Sequence, residues 1–230
     1  TDLIRRITPS EKERISDPEA ALDGRPLRLS SVRVCSPIPH PEQDIICLGV
    51  NYAAHADESA QFDRKAFLLD RKKATYFSKR AYQTSGPDDL IPSYPELVTS
   101  LDYEAELAVI IGRDCKNVCE RDAAACIFGY TVLNDVSARN LQTEHNQWYF
   151  GKSLDGFTPM GPCIVTEDEI PYPPALSISS TVNGELRQNS NTKYLLHSIS
   201  EIIAELSQGM TLLAGTIIAT GTPAGVGMGF

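Results

Sequence analysis

Missing from the 230-residue sequence is any apolar run near the roughly 18 to 20 uninterrupted residues of a membrane-spanning helix. The opening "TDLIRRITPSEKERISD" lacks both the apolar centre and the small-residue cleavage site of a signal peptide, so a cytoplasmic protein with no membrane partner is expected. Basic charge is also short. Against 30 Asp and Glu stand 21 Lys and Arg, a net charge of −9, which leaves no broad basic surface and argues against a nucleic-acid partner. The one basic cluster, Arg64, Lys65, Arg71, Lys72 and Lys73, is interrupted by acids and reads as a solvated face. Paired C-x2-C spacing is absent. The nearest cluster, "CKNVCERDAAAC", has no histidine beside it, and the six cysteines read as reduced thiols of a cytosolic core. Neither a G-x-S-x-G elbow nor the Gly-Lys-Ser/Thr of a phosphate-binding loop occurs, which sets aside both of those frameworks.

What is present suffices for one substantial core, with 42% hydrophobic residues. Residues 1–43 read as a polar, irregular segment closing in "CSPIPHPEQ", whose prolines predict an extended connector into a main domain over 44–230. "IICLGV" (45–50) predicts the first strand, and "NYAAHADESA" a short helix with Asn51 near its start. "AELAVIIG" (105–112) is apolar on both faces beyond Glu106 and predicts a strand inside the sheet. A helix over about 118–127, stopped by Gly129, is expected next. It is followed by a strand "YTVLND" with Thr131, Leu133 and Asp135 on one face. Asn183-Gly184, between alternating segments, specifies a type I′ hairpin. Ser198 and Glu201 make a capping box for a helix with Ile199, Ile202, Ile203 and Leu206 as its apolar stripe and Gly209 at its end. "TIIATGTPAGVG" reads as a buried strand entering a glycine-rich loop. Strands dominate and helices do not alternate with them, so the expected class is α+β.

The chemistry begins at "LDYEAELAVIIG". Strand alternation points Glu104 and Glu106 the same way, and two like charges side by side are costly without a cation, a shared proton or water. A hard divalent ion such as Mg2+ or Mn2+ takes oxygen ligands and would resolve the repulsion, with Asp135 as the third carboxylate. On spacing alone, two edge glutamates and an unrelated loop aspartate remain the simpler account. Behind Asp135 follow Arg139, with a fork suited to carboxylates, Gln142, and Lys152, a point charge able to stabilise an enolate. His55 precedes Glu58 by three residues, the spacing at which a carboxylate orients an imidazole as a general base. Thr222 and the backbone of the glycine loop could receive a substrate carboxylate.

In order, "CLGVNYAAHADE", "DYEAELAVIIG", "GYTVLNDVSARNLQ", "QWYFGKSLDGFTPMGP", "VNGELRQ" and "TGTPAGVG" resemble the fumarylacetoacetate hydrolase family over roughly 44–230. The resemblance implies a mixed β-sandwich roll, a homodimer, and a Mg2+ or Mn2+ site held by Glu104, Glu106 and Asp135. It implies that His55 and Glu58 activate water, and that Arg139, Gln142, Lys152 and Thr222 contact a small 2-oxo acid. It also implies a closing strand after the glycine loop, which the sequence, ending at Phe230, does not reach. The expected reaction is hydrolysis of an acylpyruvate-type C–C bond through an enolate, with the metal as Lewis acid. An oxaloacetate-type decarboxylase and a 2-hydroxymuconate-type isomerase or hydratase are the alternatives on the same scaffold, and an inactive metal-stabilised dimer is the non-enzymatic one. A non-haem iron oxygenase would require two histidine ligands, whereas the suspected ligands are all carboxylates.

Overall fold

The structure, a computed structural model, describes residues 2–16, 27–67 and 71–229. Ten strands organise it: β1 (Ile45–Gly49), β2 (Thr75–Lys79), β3 (Leu101–Asp102), β4 (Ala105–Ile111), β5 (Ile127–Asn134), β6 (Ser137–Ala138), β7 (Met160–Thr166), β8 (Ser177–Val182), β9 (Glu185–Asn191) and β10 (Ile217–Ala219). Six form one mixed sheet in the order β2-β1-β10-β4-β5-β7, in which only β1 and β10 run parallel. β3 pairs with β6 and β8 with β9 in separate ribbons. The class is α+β, as the sequence predicted.

β4 is buried on both faces because its side chains divide between two cores. Leu107, Val109 and Ile111 pack with Ile199, Ile202, Ile203 and Leu206 on one side, and Ala108 and Ile110 with Ile45, Cys47, Leu133 and Met160 on the other. The period of two puts Glu106 on the second face with Ala108, and Asp135 in step with Leu133. Two acidic groups therefore close the end of an apolar layer.

The two plainest local signals are realised. The helix Ile199–Gly209 carries the full capping box, Ser198 Oγ accepting from Glu201 N and Glu201 accepting from Ser198 N, and its four stripe residues are buried. Each such side chain contributes about 1.5–3 kcal/mol by leaving water. Asn183 and Gly184 have φ of 52° and 83°, the paired left-handed conformation of a type I′ turn.

Other expectations need correcting. Residues 120–126 form a 3-10 turn rather than an α-helix, and Gly129 is no helix stop but a residue within β5. A Cβ at Gly129 would lie 2.2 Å from Val165 O, so close approach of β7 is what requires glycine there. The segment before residue 43 is less irregular than expected, with short helices at Asp2–Arg6 and Pro9–Ser16; residues 17–26 lie outside the described residues. The helix Ala53–Phe62 starts two residues after Asn51, whose side chain instead bonds Thr220 O and both backbone groups of His197. Among the described residues no helix is long and apolar enough to cross a membrane.

Candidate active site

The acidic cluster is assembled by the end of the β4–β5 pair. Ala105 lies opposite Asn134 and Glu106 opposite Leu133. Glu104 falls one residue before β4, outside the regular alternation, and is fixed by its own backbone. Its N–H donates to Asn134 Oδ1 at 2.9 Å, and its carbonyl accepts from Asp135 N at 2.9 Å. One carboxylate oxygen from each of Glu104, Glu106 and Asp135 then lies within 4.8 Å of the others, and all three residues are buried.

Cations compensate two of these carboxylates. Glu104 faces Arg139 Nη1 at 2.7 Å and Lys152 Nζ at 2.8 Å. Asp135 faces Lys152 Nζ at 2.6 Å and Lys79 Nζ at 2.8 Å. Burial alone would raise the Glu104 carboxyl, but Lys152 and Arg139 overcome it and bring it to about 2. Lys152 stays cationic against its own burial because Asp135 and Glu104 flank it.

Glu106 differs. It has no cationic partner among the described residues. Gly221 N donates to its Oε2 at 2.7 Å, while the buried Oε1 has no hydrogen-bond partner. Burial, then the charges of Asp135 and Glu104, hold this carboxyl well above the usual range. Gly221 can serve it because its φ of +99° suits glycine and a Cβ would meet Asn51 Cβ at 2.8 Å. Three converging oxygen donors, one bearing an unpartnered atom, fit a hard divalent cation.

Most of the remaining predicted residues line one small pocket, with Glu58 behind His55. His55, Glu104, Arg139, Gln142, Lys152 and Thr222 form its polar wall, and Leu48, Phe67, Phe77 and Trp148 its apolar wall. His55 Nδ1 lies 3.1 Å from Glu58 Oε2, on consecutive turns of one helix, and Gly225 N donates to the other Glu58 oxygen at 3.0 Å. Arg139 engages Asp102 through Nε and Nη2, at 2.8 and 2.7 Å, and Gln142 through Nη1 at 2.9 Å. Thr222 donates to Ala105 O at 2.9 Å and accepts from Gln188 Nε2 at 2.7 Å. The structure thus brings every predicted residue to one site.

Sequence reasoning missed three supports. Lys79, fully buried, bonds Asp135 and the carbonyls of Val136 and Lys152. Asp102 holds Arg139 and accepts from Tyr103 N, Gly227 N and Met228 N. Gln188 ties the β8–β9 hairpin to both Ala105 and Thr222. Lysine in the otherwise uncharged strand "TYFSK" was the available signal for the first; nothing local marks Gln188.

Residues 44–229 match the family described as fumarylacetoacetate (FAA) hydrolase C-terminal. The chain belongs to the fumarylacetoacetate hydrolase family. It is 45% identical over 202 residues to oxaloacetate tautomerase YisK of Bacillus subtilis, covering 88% of this chain and 65% of that protein. The chain therefore spans just under two thirds of that curated relative. A solved fumarylacetoacetate hydrolase from the psychrophile Exiguobacterium antarcticum superposes with a TM-score of 0.77 at 44% identity, over 91% of this chain and 72% of that one. Maleylpyruvate hydrolase from Sphingobium sp. SYK-6, solved with manganese(II) and pyruvate, gives 0.75 at 35% identity, over 98% and 75%.

Proposed function

We propose that residues 44–230 are the catalytic part of a divalent-metal-dependent enzyme that passes a short 2-oxo acid through its C3 enolate. The observation that carries this reading is the convergence of Glu104, Glu106 and Asp135, with Glu106 Oε1 unpartnered, beside His55–Glu58 and Lys152. Mg2+ or Mn2+ on the three carboxylates would supply Lewis-acid polarisation of the 2-oxo group. Lys152 offers its ammonium to the developing enolate oxygen. Gln142 and Thr222 orient the substrate carboxylate, and Arg139, engaged by Asp102, acts mainly by holding Glu104. The imidazole of His55, held by Glu58, moves the proton. The apolar wall of Phe67, Phe77 and Trp148 limits water around the enolate.

Two reactions use this arrangement. In tautomerisation His55 takes the C3 proton and returns it to the enolate oxygen or carbon; the likeness to the Bacillus subtilis tautomerase favours this reading. In acylpyruvate hydrolysis His55 takes a proton from water attacking the C4 carbonyl, the C3–C4 bond breaks, and the enolate is protonated at C3. The Glu58–His55 contact favours this second reading, because a water nucleophile needs an oriented base. The test is a panel of oxaloacetate and acylpyruvates with Mg2+ or Mn2+. Keto–enol exchange would be followed by NMR and pyruvate release by a coupled assay. Metal-dependent turnover in either assay is expected, and its absence in both would overturn the proposal. A homodimer is proposed on the family resemblance and is checked by light scattering.

A further inference from the structure

The glycine loop after β10 points its backbone N–H groups at three carboxylates, each with a different task. Gly221 N donates to Glu106 at 2.7 Å, Gly225 N to Glu58 at 3.0 Å and Gly227 N to Asp102 at 2.6 Å. One loop thus touches a candidate metal ligand, the partner of the base and the anchor of Arg139. How well it aims depends on what holds it.

Tyr103 holds the middle of the loop. It lies between β3 and β4, in the stretch that carries Asp102 and Glu104. Its N–H donates to Asp102 Oδ1 at 2.8 Å, and the phenol of its half-buried side chain donates to Gly225 O at 2.8 Å. Three contacts then follow in series. Tyr103 Oη holds the Gly225 carbonyl, Gly225 N holds Glu58 Oε1, and Glu58 Oε2 lies 3.1 Å from His55 Nδ1.

Packing leaves this series little freedom. Gly225 has a φ of +103°, and a Cβ there would lie 2.0 Å from Arg187 O, so the loop lies directly against β9. A Cβ on Gly229 would lie 2.2 Å from Glu58 Oε1, so the carboxylate occupies space that only glycine leaves open. Tyr103 does not line the pocket that His55 and Lys152 share. Any effect it has on the reaction must pass through the groups it holds.

Resting on the function proposed above, we propose that Tyr103 is a positioning residue for the base: through Gly225 it sets the Glu58 carboxylate that orients His55. It touches neither substrate nor metal. Losing its hydroxyl loosens the imidazole and leaves the affinity for both unchanged.

The test is a double-mutant cycle of Tyr103→Phe and Glu58→Ala, read in two ways. In the metal-free protein the ring-nitrogen shifts of His55 are followed by NMR. Tyr103→Phe is expected to move them when Glu58 is present and to leave them unmoved in the Glu58→Ala background. With Mn2+ and a 2-oxo acid that the parent turns over, Tyr103→Phe should lower kcat about threefold to tenfold at unchanged KM, the equivalent of one neutral hydrogen bond. In the Glu58→Ala background the further loss should stay below about twofold. A tie that serves stability alone would shift the denaturation midpoint without moving the His55 shifts, or would lower kcat equally in both backgrounds, and either result overturns the proposal. If the parent turns over no 2-oxo acid, the proposed function falls, and the His55 shifts alone decide the role of Tyr103. Unmoved, they overturn it as well.

Discussion

Lys79 places its Nζ 2.8 Å from Asp135 Oδ1, with neither side chain exposed to solvent. Together with Lys152 on the other oxygen, it gives Asp135 two cations where Glu106 has none. Removing Lys79 leaves a buried carboxylate undercompensated, which costs about 3–5 kcal/mol. Lys79→Met is therefore expected to lower stability to chemical denaturation by that order without metal. Mn2+ should recover part of the loss, because a divalent ion restores positive charge beside Asp135.

Glu106 behaves oppositely, since its Oε1 gains nothing from the protein around it. Glu106→Gln is expected to fold with metal-free stability close to the parent. What it should lose is the response to metal. At a hundredfold excess over Kd a bound ion stabilises the parent by about 2.7 kcal/mol, and calorimetric scans with and without Mn2+ should show that increment only in the parent.

The His55–Glu58 contact predicts a separation of chemistry from metal binding. His55→Gln should lower kcat by about 10²–10⁴-fold. Glu58→Gln should lower it less, because the imidazole remains while its orientation weakens. Mn2+ affinity by titration should be unchanged in both, and a parallel loss of metal would contradict the assigned roles.

The capping box supplies a stability prediction remote from the site. Ser198→Ala should cost about 1 kcal/mol by leaving Glu201 N without its acceptor. Glu201 is held below the usual carboxylate range chiefly by the Ser198 N–H. A depressed folded value means its contribution is complete above about pH 4.3 and fades as pH falls through the folded value. The stability gap between the parent and Glu201→Gln should accordingly be present at pH 6 and close in acid.

Elements governed by local rules were legible in the sequence. Asn183-Gly184 needs only its own dihedral preferences, and Ser198 with Glu201 only a helix start. The triad was legible because two glutamates in an apolar strand have few inexpensive explanations. The 120–126 segment was misread because "ERDAAAC" has helical composition, and the burial of Ala123 and Cys126, three residues apart, suits an α-helix and a 3-10 turn alike, so the pattern does not separate the two. Glu104 was assigned to a strand it does not join, yet its convergence with Glu106 survives because Asn134, 30 residues away, anchors its backbone. Lys79 and Asp102 stayed hidden for the same reason. Their partners are distant in sequence, and no periodicity encodes a long-range ion pair.

Gln188 receives Ala105 N–H and the Ser180 hydroxyl at one end of its amide and donates to Thr222 Oγ1 and Pro223 O at the other. Its surroundings therefore distinguish the two ends of a group whose atoms are nearly the same size. Glutamate would present lone pairs to the Pro223 carbonyl, and leucine would strand four groups at once, so isosteric replacement fails on polarity and apolar replacement on satisfaction. Position 188 should consequently be among the least permissive in a mutational scan, although it carries no charge, binds no ion and lies on a hairpin far along the chain from the carboxylates it steadies.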